Sequence, residues 1–215
     1  MSPRSEPVQE RALQTRAAVV RGAAVVFERR GYAGASLDLI ADEAGVTRGA
    51  MYFHFRSKDE IANAVITEQH RIARVDAETA MAKASSAVEA MLLMSAGLAR
   101  QLVSDGVVSA GIRLTTDGSA ASVSNVTPYR DWMATFENLA GLAVEQGDFR
   151  PDLDAARFAR FVIPAYTGVQ LVSDTLHDRQ DLFERVREMW DILLPGVVVP
   201  ERLDACLALL AVIRP

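Results

Sequence analysis

Two adjoining tetrapeptides hold most of the chemistry in this chain. Thr47-Arg48-Gly49-Ala50 sets a hydroxyl and a guanidinium beside two minimal side chains, and Tyr52-Phe53-His54-Phe55 follows after one residue. Aromatics make up only 7% of the chain, so three within four residues is a concentration that needs a reason. If Thr47 caps a helix, the first-turn N–H groups and the positive helix end face outward toward any anion. Gly49 and Ala50 let another molecule approach the backbone, and Arg48 can pair with a guanine edge or a phosphate. Tyr52 and His54 add a hydroxyl and an imidazole, and Lys58 adds an ammonium in the first turn of the next helix. These groups bind and position; none is arranged to make or break a bond. Phe53 and Phe55 are read as core residues that tie this segment to its neighbours.

The rest of the sequence offers little to an enzyme. His54, His70 and His177 have no metal-ligand spacing such as H-E-x-x-H, and no G-x-S-x-G or glycine-rich phosphate loop is present. Cys206, the single cysteine, has no activating partner nearby in sequence and is read as a small buried hydrophobe. No cofactor is implied. One cysteine excludes an internal disulfide. The polar start, "MSPRSEPVQERALQTR", has no secretory apolar stretch, and no apolar run is long enough for a membrane span. A cytoplasmic protein is expected, nucleoid-associated when bound to DNA. Net charge is −5, unevenly placed: residues 1–60 hold nine Lys/Arg against eight Asp/Glu, and 61–215 hold fourteen against twenty. The amino-terminal part alone escapes the acidic balance, so the two parts are expected to meet different partners.

The elements that must position these residues are helices. Residues 1–9 are read as a disordered arm. From Arg11 to Arg30, Leu13, Ala17, Val20, Ala24 and Phe27 recur at helical spacing, and Gly31 ends the helix. Ser36 caps a short second helix, Gly45 stops it in a tight turn, and Thr47 opens a third. Ser57-Lys58-Asp59-Glu60 is a capping box that opens a long fourth helix. Two short helices about a glycine turn, behind a supporting helix, make a helix-turn-helix, whose second short helix enters the DNA major groove. Beyond it, helices are predicted over 85–104, 107–116, 129–145, 155–176, 181–194 and 199–213, with 117–128 a small-residue loop. The fold class is therefore all-α: a DNA-binding domain over 1–58, and a larger helical domain over 59–215 able to enclose a small molecule.

"RGYAGASLDLIADEAGVTRGAMYFHFRSKDEI" resembles the DNA-binding segment of the tetracycline-repressor (TetR) family of bacterial transcription regulators. The matching pieces are Tyr32, Ser36, Ile40-Ala41, Ala44-Gly45-Val46, Tyr52-Phe53-His54-Phe55, Lys58 and Ile61. The resemblance implies operator contacts by Ser36, Thr47, Arg48, Gly49, Ala50, Tyr52, His54 and Lys58. "GVVSAGIRLTTDG", "PYRDWMATFENLAGLAVEQGDFRPDLD" and "REMWDILLPGVV" resemble the actinomycete receptors for γ-butyrolactone-type hormones, which control antibiotic production. Relatives of that group respond to butenolides or alkylated furan acids, and "SDTLHDRQDLFERVREMW" is similar to the furan-responsive branch.

This resemblance implies a small-molecule autoregulator of γ-butyrolactone, butenolide or furan type, with Gln69, His70, Thr115, Tyr129, Trp132 and Thr167 as contacts. His70 and Thr115 differ from their bulkier or longer counterparts in the furan branch, which leaves a lactone or butenolide open. It also implies a homodimeric repressor of a pseudo-palindromic operator, joined through 155–176 and the helix carrying Met189 and Trp190. Two alternatives stand beside it. One is a pseudo-receptor of the same fold sensing an antibiotic or furan-type intermediate; the other is a DNA-binding dimer that needs no ligand.

Overall fold

A computed structural model describes residues 6–116, 120 and 126–215. Ten α-helices account for nearly all of them: α1 (Glu6–Gly34), α2 (Leu37–Glu43), α3 (Arg48–His54), α4 (Lys58–Lys83), α5 (Ala87–Ser104), α6 (Gly106–Thr116), α7 (Val126–Glu145), α8 (Ala155–His177), α9 (Leu182–Val197) and α10 (Leu203–Ala208). Short 3₁₀ turns, Pro200–Arg202 and Leu209–Val212, flank α10. Among the described residues there is no strand, and one isolated bridge pairs Phe149 with Val198. The all-α expectation holds. The arm expected to be disordered over 1–9 is helical from Glu6, because a proline in a helix's first turn gives up no hydrogen bond. The same reason lets α7 begin at Val126 and carry Pro128 in its first turn, ahead of the expected Tyr129. Most of the expected loop over 117–128 lies outside the described residues.

The chain divides into two compact units. The first holds α1, α2, α3, α6 and the part of α4 up to Ile72; the second holds Ala73–Val103 and the helices from Val126 onward. The expected boundary at residue 58 marks the start of α4, whereas the compact units part inside that helix, because α6 packs along α1. Gly31, at φ 66°, interrupts the helical path of α1 where the sequence places its end. Val19, Ala23, Phe27, Ile40, Met51, Phe55, Ile61 and Val65 form the core of this unit, together with Ala110 and Leu114 of α6. Ser109 Oγ donates to the Glu28 carboxylate (2.9 Å) and Arg113 donates to the Glu28 carbonyl (2.8 Å), fastening α6 to α1.

In the second unit, α7 packs on α8 and α8 on α9. The stripe expected on α5 is inward: Val88, Leu92, Ser95 and Ala99 are all buried. Trp190 is fully buried, with Phe136 stacked on it at 6.5 Å and Phe158 tilted against it at 6.4 Å. Its Nε1 donates to Ser95 Oγ (3.1 Å), and the Tyr166 hydroxyl donates to the Ser95 carbonyl (3.0 Å). Trp190 was expected between subunits and is instead the centre of a single chain's core. A ring that size with a satisfied N–H is more stable inside than at a surface. Burial pushes the Tyr166 phenol far above its ordinary pKa, so it keeps the hydrogen that it donates to the Ser95 carbonyl.

Candidate DNA-reading face and effector residues

The head is set by two caps and one turn. Ser36 adopts an extended conformation and its Oγ accepts from Leu39 N (3.3 Å), starting α2. Gly45 takes φ +64°, and Val46 N returns to the Ala41 carbonyl (3.1 Å), which closes the turn. Thr47 Oγ1 then accepts from Ala50 N (3.2 Å), starting α3. Met51 and Phe55, one helical turn apart, point inward and are 0% and 3% exposed. Arg16 lies over the Phe55 ring at 5.2 Å.

The opposite face of α3 points to water. Tyr52 is 51% exposed and Phe53 81%. Phe53 was expected in the core; it falls about 200° around the helix from Met51, on the outer face. Its ring meets His54 edge-on at 5.1 Å, and His54 is half-buried. Arg48 is exposed and paired with Asp38, itself more than half exposed. Such a pair contributes little to stability and can exchange partners. Gly49 is exposed and a Cβ there would meet nothing within 4 Å, so no contact inside the chain requires glycine. Glycine costs a helix about 1 kcal/mol relative to alanine.

Lys58, expected at the DNA backbone, faces the protein. Its Nζ donates to the carbonyls of Tyr32 (2.8 Å) and Ala35 (3.0 Å) and lies 4.2 Å from the centroid of the Tyr32 ring. Carbonyls just past a helix end lack intrahelical partners and favour a cation. The Tyr32 hydroxyl donates to Asp59, so α1 and α4 are joined twice. Half of the expected capping box forms: Ser57 Oγ accepts from Glu60 N (3.2 Å), while the Glu60 carboxylate accepts from Arg56 N (2.7 Å), one residue ahead of the cap.

The expected effector residues divide between the units. Gln69 and His70 on α4 and Thr115 on α6 belong to the first; Tyr129 and Trp132 on α7 and Thr167 on α8 belong to the second. The hydroxyls of Thr115 and Thr167 donate to main-chain carbonyls of their own helices, at Ile112 (2.7 Å) and Ile163 (3.0 Å). His70, Tyr129 and Trp132 are half-buried. Gln69 stands apart. It is 1% exposed, and neither Oε1 nor Nε2 has a hydrogen-bond partner. Leaving a buried polar group unpaired costs about 1–3 kcal/mol. Gly111 of α6 passes directly over it: a Cβ at 111 would stand 2.4 Å from Gln69 Cβ and 3.4 Å from the Val65 carbonyl. Nothing in the sequence signals that close approach.

Comparison with known proteins places this architecture. The family model for bacterial regulatory proteins of the tetR family matches residues 19–65, and that for a tetracyclin repressor-like C-terminal domain matches 85–200, more than half of the chain. The chain belongs to the TetR family. Its likeness within the family runs the length of the chain. It is 33% identical over 192 residues to the A-factor receptor protein of Streptomyces griseus, covering 89% of this chain and 67% of that one. A crystal structure of a γ-butyrolactone receptor, ArpA-like, superposes with a TM-score of 0.80 at 33% identity, over 94% of this chain and 98% of the other. CprB of Streptomyces coelicolor, in complex with its biological operator sequence, gives 0.76 at 34% identity, over 94% and 96%. In this TetR chain the first matched segment contains α2, the Gly45 turn and α3, the elements that hold the outward face described above. No helix among the described residues is long and apolar enough to cross a membrane.

Proposed function

We propose that this protein is a homodimeric transcriptional repressor that reads a pseudo-palindromic operator with α3. A small diffusible effector of γ-butyrolactone or butenolide type releases it, in the control of antibiotic production. The observation that carries the reading is the outer face of α3: Gly49 with open space above it, and Tyr52 and Phe53 held in water. Tyr52 and Phe53 are left largely uncovered by the described residues, and the chemistry of this face fits a duplex. Ser36, Thr47 and Tyr52 offer hydroxyls to phosphates. Arg48 exchanges Asp38 for a guanine edge or a phosphate, Gly49 and Ala50 admit the backbone, and Phe53 and His54 lie against sugar or base. The operator complex of CprB supports DNA as the partner, and the names of the A-factor and γ-butyrolactone receptors support the effector class.

Exposed apolar side chains on α8 and α9 support the dimer: Phe161, Leu171, Val172 and Leu176, and Ile192 at 80% exposure. In such a dimer the two α3 helices sit about 34–36 Å apart, one turn of DNA. The helix α4 carries both Lys58, which is bonded to the head, and Gln69, eleven residues on, about 17 Å along the helix. An effector that holds α4 in another setting changes the spacing of the heads. Full release needs about 5.5 kcal/mol of differential affinity. Gln69, His70, Thr115, Tyr129, Trp132 and Thr167 are the residues we assign to effector contact.

The test is operator binding, by gel shift or anisotropy, on DNA from the protein's own promoter region. Tight binding that falls steeply with salt and is relieved by a γ-butyrolactone or butenolide is the expected result. Binding unmoved by every lactone and butenolide tried sinks the effector reading.

A further inference from the structure

A groove lies between α1 and α4 in the first unit, with the start of α6 as its third wall. Its volume is about 760 Å³, the size of a small-molecule site. The buried residues that line it, Val20, Ala24 and Ala64, are all apolar. Four charged side chains also line it, and they are not equally committed. The Glu68 carboxylate accepts from Arg71 Nε (2.9 Å) and Nη2 (2.7 Å). Asp105 accepts from the main-chain N–H groups of Val107 (2.8 Å) and Val108 (3.2 Å), capping α6. Arg16 and Arg21 are exposed, and among the described residues neither is hydrogen-bonded or forms an ion pair. Arg16 only lies over the Phe55 ring. The charge left to meet a ligand is therefore positive, beside an apolar floor.

We infer that this groove is a second small-molecule site, and that it takes an anionic amphiphile: one apolar chain or ring carrying a carboxylate. It shares no residue with those assigned to effector contact. The apolar body covers Val20, Ala24 and Ala64, and the carboxylate accepts from the guanidinium groups of Arg16 and Arg21. Such charge-assisted hydrogen bonds are about twice as strong as neutral ones. An alcohol of the same chain keeps the apolar contact and loses the charge. A ligand held here touches both α1 and α4. It adds a tie between these helices to those made by Lys58 and Asp59, and so stabilises the first unit. The inference stands whether or not a lactone releases the protein from DNA.

The experiment measures binding to the full chain by isothermal titration calorimetry, with octanoate and octan-1-ol as probes. A third probe, octanoate with a diazirine in its chain, marks the place of binding by photolabelling and mass spectrometry. The wild type is expected to bind octanoate saturably, about tenfold more tightly than octanol. The double variant Arg16→Gln/Arg21→Gln is expected to bind octanoate about tenfold more weakly and octanol as before. Ala17→Phe puts a ring at an exposed position of the groove and is expected to weaken both. The diazirine is expected to label α1 within residues 13–25, where no assigned effector residue lies. Absence of saturable binding, or equal affinity for acid and alcohol, overturns the proposal. Labelling that spares α1 overturns it too and leaves the effector reading untouched. The double variant changes exposed side chains only, and its undiminished hold on octanoate overturns the proposal by itself, whether or not Ala17→Phe folds. If Leu13→Asp splits a larger assembly in sedimentation, a second copy covers the groove and the proposal falls.

Discussion

Aromatic side chains serve opposite ends in the two units. Around Trp190, three rings and two polar hydrogens close on one another, and the indole is fully buried with its N–H on Ser95. On α3, Tyr52 and Phe53 stand in water, and the helix is held from behind by Met51 and Phe55. The same kinds of residue thus build a core in one place and leave a contact surface in the other. The difference lies in whether the chain itself supplies the covering. Where it does, a substitution is felt in stability. Where it does not, the loss of a side chain is felt chiefly by what the surface binds.

That contrast can be broken at its strongest point first. Trp190→Ala is expected to lower stability by about 3–5 kcal/mol, read as a fall in melting temperature or denaturant midpoint. If the loss were small, the ring would not be the centre of the second unit. Next come Arg48→Ala and Phe53→Ala. Each is expected to weaken operator binding by about 1–3 kcal/mol, and to change stability by no more than about 0.5 kcal/mol. A large loss of stability in Phe53→Ala would return that ring to the core.

Two glycines sharpen the comparison within the first unit. Gly111→Ala drives a methyl into Gln69 and is expected to destabilise by about 1–3 kcal/mol, measured by thermal melting. Gly49→Ala has open space above it and is expected to stabilise α3, by up to about 1 kcal/mol, while lowering operator affinity. The smallest effect concerns Asp181. The Ser173 hydroxyl, which donates to it at 2.6 Å, and the charges of Arg185 and His177 hold its carboxyl below the ordinary range, against a smaller desolvation effect. A depressed folded-state pKa stabilises above the unfolded value and is lost as pH falls through the folded one. Asp181→Asn should therefore be less stable than wild type at neutral pH, with the gap closing below about pH 4 in melting experiments.

Local rules were enough for much of the head. Caps at Ser36, Thr47 and Ser57, and positive-φ turns at Gly31 and Gly45, each depend on a few consecutive residues, and all five form where expected. Phe53 was misread although its direction was available: counting from Met51 and Phe55 at a helical period puts it outside. A preference for burying phenylalanine outweighed the count. Lys58 was different. Its partners, Tyr32 and Ala35, lie more than twenty residues back, and only the folded chain brings their carbonyls to the ammonium. The burial of Trp190 and the close packing of Gln69 under α6 were illegible for the same reason. One needed Ser95 on another helix, and the other needed Gly111 to pass over it. The residues we assign to effector contact are spread over α4, α6, α7 and α8, and no local pattern groups them.

Ser95 joins α5 to α8 and α9 by two different kinds of atom. Tyr166 uses its main-chain carbonyl, which every residue has, and Trp190 uses its side-chain hydroxyl, which few residues have. The two joints are therefore inherited differently. Any replacement at 95 that keeps the helix keeps the tie to Tyr166. The tie to Trp190 survives only in serine and its near kin. One joint of this core is open to drift at that position, and the other is held by a single oxygen atom.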